Sequence, residues 1–284
     1  MGLQYNYHST PAIQATAIVV DLRNFTPNLG AAHVDAEGVN DFCAFLAEFH
    51  AICLDACRVA IPQSQQNDPP FLLWSTGDGV IVCFTDPVFQ VQHAYLASLV
   101  MQGVLRLLCK EYNQNRKKDT IPAIGFGIGM ETGEVWGVHA ERPQGGPSVR
   151  TYLGPCINVA ARAQEVTKTL HRARTIIGSV SNQRLVQEIL NTDYAALVQS
   201  TKRRVNDAHH TSLEAQMSEL NRQLCLGFIH VHTLRGVNAP IALFRVSESS
   251  ARLGNPRFES LLSTLTAENQ GHLDQVREFL SMGT

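Results

Sequence analysis

Residues 15–22, Ala-Thr-Ala-Ile-Val-Val-Asp-Leu, form an apolar run rich in β-branched side chains. Such a run predicts a buried strand. The Arg-Asn-Phe-Thr-Pro-Asn that follows is built of turn formers and predicts a loop. From Glu37 to Ala60 the apolar positions Phe42, Phe45, Leu46, Phe49, Ile52, Cys53 and Ala56 recur at helical spacing, predicting an amphipathic helix. A polar, proline-bounded loop spans 61–70. Residues 74–84, Trp-Ser-Thr-Gly-Asp-Gly-Val-Ile-Val-Cys-Phe, predict a strand, a tight turn with Asp78 at its tip, and a second strand. Residues 88–112 predict a long helix, and the glycine-rich stretch 121–140 a β-hairpin followed by an exposed turn at 142–148. Residues 152–168 begin with turn formers and become helical. A short strand at 174–179, a helix at 180–190, a charged and partly helical insertion at 201–223, and a strand-turn-strand at 227–246 follow. The chain closes in helical segments from Pro256.

Strands and helices alternate irregularly, with two evident hairpins. That pattern predicts an α+β chain, or α/β with a mixed sheet, and excludes an all-parallel one. No repeat or linker divides the sequence. The expected organisation is one domain over residues 13–246 and a C-terminal helical extension over 247–284. With 284 residues, 44% of them hydrophobic, the chain has material for a large core.

The formal net charge of −2 gives no whole-chain attraction to nucleic acid or anionic membrane, so any polyanion must be held locally. The N-terminus lacks the apolar stretch of a secretory signal, and no apolar run approaches the roughly 20 residues of a membrane span. A soluble, cytoplasmic protein is expected. Seven scattered cysteines, mostly in apolar stretches, suit reduced thiols. Cys53 and Cys57 lie one helical turn apart, but no second ligand pair supports a metal site there.

The candidate chemistry lies in a combination of residues that are ordinary singly. Asp21 and Asp78 stand at strand ends, where an aspartate is usually a turn or cap residue. Together they suit a hard cation such as Mg²⁺, which takes one or two carboxylates plus phosphate oxygens. The loop after Asp21 can aim backbone N–H groups at a phosphate. Asn158 and Arg162 are four apart on the expected helix and share a face. That face is either plain polar surface or a device for an anionic transition state, to which arginine brings fixed charge and a rigid donor fork. Arg235, at a turn between apolar strands, either solvates the turn or holds a phosphate.

These segments, in this order, resemble the catalytic domain of class III nucleotidyl cyclases. Ala-Ile-Val-Val-Asp-Leu-Arg-Asn-Phe-Thr (17–26) is similar to the family's first metal-aspartate strand and phosphate loop, and Ser-Thr-Gly-Asp-Gly-Val-Ile-Val-Cys-Phe (75–84) to its second metal-aspartate hairpin. The glycine-rich stretch 124–140, the helix opening at 152–165 and the strands at 232–246 are similar to the remaining motifs. The resemblance implies a mixed, ferredoxin-like sheet flanked by helices. It implies that Asp21 and Asp78 bind two divalent cations, Mg²⁺ or Mn²⁺. Asn158 and Arg162 would orient the ribose and stabilise the transition state, and Phe25 and Thr26 would end the phosphate loop. Arg235 stands where the family usually has a triphosphate-binding lysine. The implied reaction is attack of the ribose 3′-oxygen on the α-phosphorus of a nucleoside triphosphate, giving a 3′,5′-cyclic monophosphate and pyrophosphate. The implied assembly is a homodimer whose two sites each take aspartates from one protomer and Asn-Arg from the other.

Two positions depart from the family. Where adenylate cyclases carry a base-reading lysine and guanylate cyclases typically a glutamate, this chain has Trp74. Where a polar partner, often aspartate, precedes the transition-state helix, it has Thr151. A bulky indole and a neutral hydroxyl predict a smaller base. The chain therefore resembles the Pycsar-type pyrimidine cyclases of bacterial anti-phage defence, whose cyclic nucleotide product acts on a separate effector. Arg150, beside Thr151, suits a uracil carbonyl and not a cytosine amine, so UTP is preferred to CTP. An adenylate cyclase with an unusual pocket remains the alternative, and a catalytically inactive cyclase-homology dimer a third.

Overall fold

In the computed structural model the residues described are 6–33, 36–115, 121–141, 149–170, 174–191, 216–237, 239–267 and 269–282. Strand β2 (Ile13–Arg23) lies inside the sheet, flanked on both sides. On one side lie β4 (Gly79–Phe84) and β3 (Phe71–Ser75); on the other lie β5 (Gly125–Glu141), β7 (Thr175–Ile177), β9 (Ile241–Val246) and β8 (Leu226–His232). β5 and β7 run parallel and the other neighbours antiparallel, so the sheet is mixed. The far half of β5 leaves the main sheet and pairs with β1 (Asn6–Ser9) and β6 (Val149–Leu153) as an arm.

Alternation along β2 divides its side chains between two layers. Ile18, Val20 and Leu22 enter the main core. That core is filled by α2 (Ala36–Val59) and α3 (Gln90–Asn115), whose Phe42, Phe45, Phe49, Tyr95 and Met101 are buried. The C-terminal helices α7 (Pro256–Leu265) and α8 (Gln270–Ser281) contribute Phe258, Leu262, Val276 and Leu280 to the same core. The opposite set, Ala15, Ala17 and Val19, faces α4 (Pro155–Val166) and its small apolar cluster with Cys83, Cys156 and Ala160. Helix α5 (Ser179–Ile189) is tied to β5 by buried Glu131, whose Oε1 accepts from the backbone N–H of Ser181 at 2.8 Å. A short helix, α6, over 216–223 precedes β8.

Two elements differ from the sequence reading. Residues 121–140 do not turn back as a hairpin: β5 is one strand of 17 residues. Its glycines mark a close approach and not a turn. A Cβ at Gly129 would lie 1.9 Å from the Ala160 carbonyl oxygen in α4, and one at Gly127 2.2 Å from Thr167 Oγ1. The expected loop after Asp21 is instead a single residue, Asn24, in the left-handed conformation (φ 58°), and then α1 (Phe25–Ala32). Asn28 secures this junction by donating to the carbonyls of Asn24 at 2.8 Å and Pro122 at 3.0 Å. The exposed turn expected at 142–148 and residues 201–215 of the expected insertion lie outside the described residues. All seven cysteines are free, and only Cys43 is exposed.

Gly129→Ala forces α4 off the sheet and is expected to cost about 3 kcal/mol or more, read by urea unfolding. Gly30→Ala, where an added methyl meets nothing within 4 Å inside α1, is expected to stabilise by about 0.5–1 kcal/mol in the same measurement.

Candidate active site

The Gly-Asp-Gly turn has a separate reason for each of its residues. Gly77 takes φ 95°, which an L side chain rarely adopts. Gly79 lies against β2, where a Cβ would sit 2.6 Å from the Val20 carbonyl oxygen. Asp78, between them, accepts the Leu22 N–H at its backbone carbonyl, 2.9 Å. Because Asp21 pairs with Gly79 across the two strands, the two aspartates stand side by side at one end of the sheet. Asp21 lies on the α4 face, two residues beyond Val19.

Burial raises the Asp21 carboxyl above the usual aspartate range, and the neighbouring negative charge of Asp78 raises it further. Two groups oppose this from the end of α4: Lys168 Nζ lies 3.5 Å from Asp21 Oδ2, and Gln164 Nε2 donates to the same oxygen at 3.4 Å. Beyond Asp21 on the same strand, burial and the adjacent Arg174 guanidinium lower Arg23 to about 10. Arg174 itself lies over the Phe126 ring, 5.6 Å from its centroid. Two carboxylates whose charges disfavour one another are a donor set suited to a hard divalent cation. Among the described residues no group of three or more His, Cys, Asp or Glu could hold a metal. A cation at Asp21 and Asp78 would therefore complete its shell with substrate and water oxygens.

The outer face of α4 carries the other expected pair. Asn158 is exposed, and Arg162 Nη1 donates to Glu165 Oε1 at 2.6 Å. Arg162 and Gln164, two residues apart, point to nearly opposite sides of the helix. One chain thus does not bring Arg162 to its own Asp21. Arg235 is exposed in the turn between β8 and β9. The preceding Leu234 packs with Val159 and Ala163 of α4, which keeps that turn on the α4 side of the sheet.

Trp74 on β3, opposite Ile81 of β4, packs half-buried against the cluster of Ala15, Ala17, Cys83, Val135, Cys156 and Ala160. It shares the sheet face of Asp21, two strands away. Tyr152 and Ile157 pack against the same cluster. Tyr152 pairs with Gly137 and Thr151 with Val138, so alternation sends Thr151 to the other face of the arm. Within one chain Tyr152, and not Thr151, joins Trp74 at this cluster. The backbone of Arg150 pairs with His139. Phe25 turns its ring into the core, 5.3 Å from Phe42, which leaves its backbone N–H for any phosphate contact; Thr26 is exposed.

Gln164, Lys168, Arg23 and Tyr152 were not singled out from sequence. Gln164 and Lys168 lie four apart, like Asn158 and Arg162, but which face meets Asp21 depends on the packing of α4 over β5.

No protein-family model matches the sequence, and no curated protein is significantly similar to it. Solved structures do match. A bacterial light-regulated adenylyl cyclase aligns over 96% of this chain at 15% identity, with TM-score 0.52. The chain spans only 57% of that protein. The guanylyl cyclase Cya2 aligns over 83% of this chain and 92% of its own, at 16% identity and TM-score 0.51. The adenylyl cyclase CyaB from P. aeruginosa aligns over 85% and 96%, at 15% identity and TM-score 0.51. These likenesses establish the fold, a mixed sheet flanked by helices as in class III cyclase catalytic domains. Among the described residues no helix is long and apolar enough to cross a membrane.

The raised Asp21 carboxyl has a stability consequence. Ionisation costs the folded state more than the unfolded chain, so stability is full below the unfolded pKa and falls as pH rises through the folded one. Asp21→Asn is expected to raise the melting temperature of the metal-free protein at pH 7. The gain should vanish below about pH 4, the unperturbed aspartate pKa, in thermal melts with EDTA.

Proposed function

We propose that this chain is a nucleotidyl cyclase that converts a pyrimidine nucleoside triphosphate, UTP before CTP, into its 3′,5′-cyclic monophosphate and pyrophosphate. One observation carries the reading. The paired carboxylates Asp21 and Asp78 lie at one end of the sheet, while Asn158 and Arg162 are turned outward on α4, the arrangement of a site completed by a second copy.

In that homodimer Asp21 and Asp78 of one protomer hold the metal ions against the triphosphate. The N–H groups of Phe25 and Thr26, in the first turn of α1, lack intrahelical partners and face anionic oxygens favourably. Two divalent cations, Mg²⁺ or Mn²⁺, supply Lewis acidity to the attacking 3′-oxygen and the leaving pyrophosphate when bound. Asn158 of the other protomer orients the ribose. Its Arg162 leaves Glu165 for the charge that builds at the α-phosphorus, and its Arg235 takes the terminal phosphates. Trp74, seated on the apolar cluster, fills volume that a purine's second ring needs. Arg150 and Thr151 complete base recognition. The cyclic nucleotide then acts on a separate effector, in the manner of the anti-phage systems the sequence resembles. An adenylate cyclase is the second reading, compatible with the adenylyl cyclases among the fold neighbours.

The deciding experiment incubates the purified protein with Mn²⁺ and each of ATP, GTP, CTP and UTP and identifies products by mass. A dominant cUMP peak is expected; dominant cAMP overturns the pyrimidine reading, and no cyclic product from any nucleotide overturns the cyclase. Trp74→Ala is expected to raise purine turnover relative to pyrimidine. Asp21→Ala and Arg162→Ala should each be inactive alone. Mixed and re-equilibrated, they should recover about one quarter of wild-type activity, because half the dimers are hybrids with one intact site of two.

A further inference from the structure

The ammonium of Lys168 stands 3.5 Å from the oxygen of Asp21 that also accepts from Gln164. Its backbone is fixed in the turn closing α4, with its N–H donating to the Glu165 carbonyl at 2.9 Å. The neighbouring Thr167 hydroxyl is bonded to the Gln164 carbonyl. The side chain is less constrained: that of Lys168 is 50% exposed against 26% for Asp21, so the ammonium has open solvent to withdraw into. Such a half-exposed pair adds little to stability, too little to explain it as a structural fastener. Its place matters more. It puts a positive charge beside a carboxylate that burial and Asp78 both make unfavourable to ionise.

On the reading of Asp21 and Asp78 as metal ligands, we propose that Lys168 is a built-in competitor for the metal. In the metal-free protein its ammonium supplies the positive charge that the aspartate pair requires. A divalent cation must displace it, because two like charges cannot share one carboxylate oxygen at this range without repulsion. Lys168 therefore sets the cation concentration at which the site fills. Gln164, being neutral, holds the Asp21 rotamer in both states.

The test is Mn²⁺ binding by electron paramagnetic resonance without nucleotide, on wild type, Lys168→Met, Lys168→Arg and Asp21→Asn. Lys168→Met keeps the stem and removes the charge; it is expected to bind Mn²⁺ about 1.5-fold to fivefold more tightly. Lys168→Arg should stay near wild type, and Asp21→Asn should lose binding. Metal-free Lys168→Met should also melt below wild type, and saturating Mn²⁺ should close the gap. Unchanged or weaker Mn²⁺ binding by Lys168→Met, with Asp21→Asn still defective, overturns the competition and leaves the metal site standing. An equal loss of melting temperature with and without Mn²⁺ marks a purely structural ion pair and also overturns it. If Asp21→Asn binds as wild type does, the metal-ligand reading falls and the competition falls with it.

Discussion

The close approach of α4 to β5 organises the molecule. Where Gly127, Gly129 and Gly133 leave the strand without side chains, the helix backbone settles against the sheet, and Cys156, Ala160 and Ala163 fill the seam with small groups. Packing this tight leaves the helix little freedom to rotate about its axis. That one constraint puts Gln164 and Lys168 over Asp21 and turns Asn158 and Arg162 to the outside. It also leaves the surface of β3 and β4 on this side, with Leu72, Trp74 and Ile81, only partly covered.

The sheet separates two tasks between its faces. The face bearing Ile18, Val20 and Leu22 is committed to the large core with α2, α3 and the C-terminal helices. The face bearing Asp21 carries polar and charged groups that the core would not tolerate, beside apolar clusters smaller than that core. Asp21 sits on that face at the end of the sheet. It is buried enough to feel Asp78 and open enough to exchange its partners.

Much of this was legible from the chain. The apolar run of β2, the heptad-like spacing of α2 and the Gly-Asp-Gly tip of the β3–β4 hairpin each bear a local pattern, and each formed as read. The misread parts share one cause. The β5 glycines look locally like a turn, but their reason for being there is the backbone of α4, some thirty residues away in sequence. The same blindness hid Lys168, whose relation to Asp21 spans most of the domain. It also hid Tyr152, whose place beside Trp74 depends on the strand register of the arm. Phe25 was singled out by its place in a motif, and packing alone shows that its ring belongs to the core.

The outward helix face has one more consequence. If Asn158 and Arg162 serve only the aspartates of another copy, a lone chain is silent however much substrate surrounds it. At concentrations below the dissociation constant of the pair, the number of complete sites grows as the square of the number of chains. A twofold rise in synthesis then yields a fourfold rise in output, and abundance itself becomes a switch.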